Sequence, residues 1–106
     1  MDQHTQIVND IVETATPITL DGVLGLSANC TPHFANDVGE RLAGISDTFG
    51  VTYCQVEKEV IKFSLRSIGE EGTDVAELAA KVAGGGGHFN ASGFTLNKNL
   101  LGDILK

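Results

Sequence analysis

A chain of 106 residues is one domain's worth, enough to bury a single core, and its hydrophobic share of 42 % is ordinary for a globular protein. The net charge is −7, with six acids and no Lys or Arg in residues 1–40, against eight acids and seven bases in the remainder. This balance disfavours non-specific duplex binding, which needs many Lys and Arg contacts, so any phosphate ligand is expected to be small or short and held at a local site.

Apolar runs are too short to cross a bilayer, so no membrane partner is expected. The acidic start Met1-Asp2-Gln3-His4 lacks the basic opening of a secretory signal, which makes the cytoplasm the expected location. Ile7, Val8, Ile11 and Val12 recur at helical spacing and predict a helix from about Asp2 to Thr14, ended by Pro17. Gly22 to Ser27 reads as a buried strand, with Cys30 just beyond it. Phe34, Val38 and Leu42 recur every four residues and predict a second helix ending near Gly44, with Thr31 as N-cap and Pro32 at its first position.

Val51–Val56 and Val60–Arg66 read as two strands of a hairpin about Glu57-Lys58-Glu59. In the second, Ile61, Phe63 and Leu65 alternate with Lys62, Ser64 and Arg66, so one face is apolar and the other polar. Asp74 and Glu77 fit a capping box before the stripe Val75, Leu78, Ala79 and Val82, which predicts a helix over Val75–Ala83. A strand over about Gly93–Leu96 follows, and Asn99 is placed to cap a short terminal helix. The expected class is α/β: a small mixed β-sheet with flanking helices and a Gly-rich loop between a helix and the last strand. Cys30 and Cys54 stand far apart in sequence with no ligand partner nearby, so both are read as buried thiols.

The strongest chemical signal is Gly84-Gly85-Gly86-Gly87-His88. Glycines admit close ligand approach, and successive backbone N–H groups can form an anion-binding nest beside the imidazole. Their commonplace reading is punctuation after a helix. Here a well-formed helix precedes them and His88-Phe89-Asn90-Ala91-Ser92-Gly93-Phe94 follows, where a loose linker would be out of place.

The segment Gly84–Phe94, GGGGHFNASGF, closely resembles the signature of the DHH-associated domain, the C-terminal domain of DHH-family phosphoesterases. Phe63–Ser67 and Asp74–Ala79 are similar to two further segments of that family, in order; the likeness spans residues 60–96 and is weak before residue 22. The resemblance implies a small mixed sheet with flanking helices. It also implies a division of labour, in which a larger N-terminal domain holds two metal ions, usually manganese, and the small domain grips the far end of the substrate. By position, Gly84, Gly85, Gly86, Gly87 and His88 would line the phosphate site, and Ser64 and Arg66 would contact the nucleotide. A guanidinium suits that role because it pairs bidentately with phosphate and stacks on bases. The implied partners are a short oligonucleotide or nucleotide phosphate and a DHH catalytic domain in cis or in trans. Residues 1–20 then read as a linker helix and 21–106 as the domain.

No catalytic metal site is legible in the chain itself. Asp2-Gln3-His4 only superficially resembles the family's Asp-His-His triplet, His33 falls in the first turn of a helix, and the acids are scattered. Alternatives are a non-catalytic nucleic-acid-binding or oligomerisation module, as in the related domain that ends alanyl-tRNA synthetases, and an enzyme built on His88. The latter lacks a sequence-evident nucleophile or metal partner.

Overall fold

The computed structural model describes residues 3–70 and 72–98. Among these residues three helices and six strands run in the order α1 (Gln3–Glu13), β1 (Thr16–Leu20), β2 (Val23–Asn29), α2 (Pro32–Ser46), β3 (Gly50–Glu57), β4 (Val60–Arg66), α3 (Val75–Ala83), β5 (Gly86–His88) and β6 (Ala91–Asn97). The strands form one mixed sheet ordered β1-β2-β3-β4-β6-β5, in which β2 and β3 are parallel and every other pair is antiparallel.

The expected α/β class and mixed sheet hold, as do all three helices expected among the described residues. Two strands were not expected. Residues 16–20 form β1 rather than the tail of a helical segment. Pro17 does not merely stop α1; it lies in an edge strand, where the missing N–H costs no ladder bond. The β1–β2 hairpin turns on Asp21-Gly22, both at positive φ (49° and 81°) as a two-residue primed turn requires. The expected Gly-rich loop is in part a strand too: Gly86–His88 is β5, hydrogen-bonded to β6 at the sheet's edge. The predicted terminal helix capped by Asn99 lies outside the described residues.

The alternation of β4 sends one set of its side chains into a core and leaves the other set polar and partly open to solvent. Ile61, Phe63 and Leu65 join Ile18, Leu20, Phe49, Val51 and Phe94 under Val75, Leu78 and Ala79 of α3. Phe63 stacks on Phe94 with ring centres 4.7 Å apart, and Tyr53 on Phe63 at 5.7 Å, geometries that add roughly 1 kcal/mol each beyond their buried area. On the other face α2 lays Ala35, Val38 and Leu42 on Ala28 and Cys30, and α1 seals this smaller core with Val8, Ile11 and Val12.

Local chemistry explains both caps of α3. Asp74 accepts from the Glu77 N–H at 3.1 Å, as the capping box predicts, and Gly84 closes the C-terminus in the left-handed conformation, φ 69°. Thr31 takes the extended N-cap position of α2 beside Pro32, but its side chain makes no capping bond. Gly50 lets α2 come close to β3: a Cβ there would stand 2.3 Å from the Gly39 carbonyl oxygen.

Candidate functional site

Strand register lines up the polar face of β4 with its neighbours in three rows. One row reads Leu26, Gly50, Arg66, Ala91, His88; the next Ala28, Thr52, Ser64, Gly93, Gly86; the third Cys54, Lys62, Thr95. Paired residues of neighbouring strands share a face, so Arg66 and His88 lie on the same side of the sheet. Their backbones are two strand spacings apart, about 10 Å. Helix α2 lies across β2, β3 and β4, while α3 packs on β4, β6 and β5 from the opposite side. Toward β6 and β5 the α2 side opens to solvent: Lys62, Thr95, Gly86 and His88 are exposed, and Ser64 and Arg66 half-buried. None of the three rows contains an acid, so a short cationic strip interrupts an otherwise acidic chain.

Arg66 is held in place. Its Nε donates to Asn36 Oδ1 at 3.0 Å and its Nη1 to the Leu65 carbonyl at 2.8 Å. The aliphatic part of the side chain crosses Gly39, where a Cβ would come within 2.8 Å of Arg66 Cγ. These contacts orient a guanidinium that has further N–H donors for a ligand. The His88 ring makes no hydrogen bond with a described residue. Asn36 was not singled out from the sequence, because nothing local marks a helix asparagine as the partner of an arginine 30 residues on. Lys62 was placed on the polar face of β4, and the register brings it beside Ser64 and Thr95.

The first two glycines do not lend their N–H groups to a nest. The N–H groups of Gly84 and Gly85 are spent on the carbonyls of Ala80 and Ala79 at the end of α3. Gly86–His88 sits in the ladder, where an edge strand keeps one row of its backbone groups unpaired. The physical reason is the helix end: its orphan carbonyls take the first donors within reach.

Most of the signature has a folding task. A Cβ on Gly85 would lie 2.3 Å from the Gly93 carbonyl oxygen, one on Gly87 2.6 Å from the Ala91 oxygen, and one on Gly93 2.7 Å from the Phe63 oxygen. Asn90 donates to Ser67 Oγ at 2.8 Å and to the Gly69 carbonyl at 3.0 Å. The Val75 N–H bonds the Phe89 carbonyl, Ser92 Oγ donates to the Val75 carbonyl, and Phe94 enters the core. The β5–β6 hairpin is thereby fastened to the start of α3 and the end of β4. Two positions stand apart. Gly86 has an ordinary φ and open space where a Cβ would be, and His88 is exposed with no hydrogen-bonding partner among the described residues.

The DHHA1 domain family matches residues 25–106, most of the chain. The chain belongs to that family. A DHHA1 domain is the C-terminal companion of DHH-family phosphoesterases and usually pairs with a DHH catalytic domain. The curated proteins include no significant match. Among the described residues of this DHHA1 domain no three His, Cys, Asp or Glu side chains gather to hold a metal. His4 is paired with Asp37, and His33 stacks edge-on against Phe34. No described helix is long and apolar enough to cross a membrane.

Proposed function

We propose that this domain holds the phosphate and nucleotide portion of a short oligonucleotide or nucleotide on the open face of β4, β6 and β5, for hydrolysis by the metal centre of a separate DHH domain. Gly86 carries the reading. It is the glycine of the signature for which the fold has no steric need, and it lies in line with Ser64, one row from Arg66 and His88. A bare, exposed backbone flanked by a hydroxyl, a guanidinium and an imidazole suits a phosphate approaching the sheet. Ser64 and His88 supply hydrogen bonds and Arg66 a bidentate grip, while Lys62 adds charge at the strip's far end. No step of bond cleavage is assigned to these residues; in this reading they bind and orient.

The test is an amide NMR titration with a 5′-phosphorylated dinucleotide. Shifts should concentrate at Ser64, Arg66, Gly86 and His88. Gly86→Val should abolish them while its thermal melt stays close to that of the parent, because a strand tolerates valine there and nothing blocks the side chain. Shifts confined to α1 and α2, or binding of long RNA with none of the dinucleotide, would replace this reading with that of an interaction module.

A further inference from the structure

The two cysteines, 24 positions apart in sequence, are brought side by side by the parallel β2–β3 pairing. Asn29 is in register with Tyr53, and the Cys30 N–H bonds the Tyr53 carbonyl, which continues the ladder one step to Cys30 and Cys54. Adjacent strands run about 4.8 Å apart, within the Cα separation that a disulfide spans. Both side chains line one small cavity on the α2 side with Thr52, Lys62 and Ser64. Both are free thiols. They differ in access: Cys30 is buried, Cys54 half-exposed. Burial pushes the Cys30 thiol up, a hydrogen bond with Thr52 works against that, and Cys54 is itself near enough to add to the upward shift. Cys30 stands at the end of β2, immediately before α2 begins, where closing the pair requires little movement of the ladder.

We propose that Cys30 and Cys54 are a reversible dithiol–disulfide site, with peroxide as the oxidant. The half-exposed Cys54 meets hydrogen peroxide first. Its thiolate attacks one peroxide oxygen, the O–O bond breaks, and hydroxide leaves from a Cys54 sulfenic acid. The Cys30 sulfur then attacks the Cys54 sulfur, and the S–O bond breaks. The departing hydroxide takes the Cys30 proton as water. In sum, two thiols and one peroxide give one disulfide and two waters. Cys30 acts as the resolving thiol, sheltered from the oxidant and in register with the sulfur that it must reach.

The experiment treats the folded, reduced protein with hydrogen peroxide and reads intact mass, thiol alkylation and tandem mass spectra of a digest. The expected product is a monomer lighter by two hydrogens, carrying a Cys30–Cys54 cross-link, closed to iodoacetamide and restored by dithiothreitol. Cys54→Ser should give no intramolecular product and leave Cys30 unmodified. Three outcomes overturn the proposal: Cys54 running to sulfonic acid while Cys30 stays a free thiol, disulfides that join two chains, or a cross-link that appears only in denaturant. The readout is independent of ligand binding, so it stands or falls apart from the proposed function.

Discussion

Gly85 and Gly86 are adjacent in sequence and opposite in demand. A methyl group on Gly85 would overlap the carbonyl oxygen of Gly93 and the Cβ of Phe94. A backbone carbonyl and the Cβ of a core phenylalanine leave no soft neighbour to yield, so Gly85→Ala should cost about 2 kcal/mol, the middle of the range for overpacking. Gly86→Ala should change stability by less than about 0.5 kcal/mol, as surface substitutions do. Urea unfolding of the two variants against the parent checks both values. From the sequence all four glycines look alike, and a nest was the chemical reading available. What separates them is the neighbouring strand: Gly93 and Ala91 lie against Gly85 and Gly87, and their positions follow only from the β5–β6 register. Arg66 was legible, by contrast, because alternation along β4 announces its face.

At the level of elements, legibility followed periodicity. Helix α3 was readable to the residue because an apolar stripe, a capping aspartate and a terminal glycine all agree. The β3–β4 pair was readable from two strand-like runs about a charged turn, the second of them alternating. Strand β5 was not, since Gly86 and Gly87 carry no side chain to alternate and their strand form comes from pairing with β6. Strand β1 carried the Asp21-Gly22 turn as a signal, yet Pro17 outweighed it until the strand's place at the sheet edge was known. The β5–β6 hairpin depends on its ties. Asn90 bonds Ser67 and Gly69, and the Phe89 and Asn90 carbonyls accept from Val75 and Ser67. Asn90→Ala removes two side-chain hydrogen bonds, so it should destabilise the protein by roughly 1–3 kcal/mol. It should also raise amide exchange in β5 and β6 more than in β2 and β3. Uniform acceleration across the sheet would mean that the hairpin is not anchored locally.

On the scale of the whole molecule, a net charge of −7 surrounds a strip that offers Lys62, Arg66 and His88. Binding should weaken as salt rises, but gently. Two cationic contacts, from Lys62 and Arg66, to a single strand predict a slope of log K against log salt of about −1.4. Calorimetric titration with a short oligonucleotide at several salt concentrations measures it. A slope several times steeper would mean that a wide surface elsewhere binds the ligand. The charge asymmetry was legible at once in the sequence. Its spatial counterpart was not, because Lys62, Arg66 and His88 come together across three strands whose order does not follow the chain.

The joint made by Asn90, Ser92 and the glycines separates inheritance of shape from inheritance of purpose. Seven of the eleven residues from Gly84 to Phe94 (Gly84, Gly85, Gly87, Asn90, Ser92, Gly93 and Phe94) can be held by the requirements of one hairpin, whatever ligand is offered. Selection on Gly86 and His88 can then relax or change direction while the frame persists. Relatives that keep the frame but differ at these two positions should divide by ligand, and the divide should run through those two residues before it reaches any other in the segment.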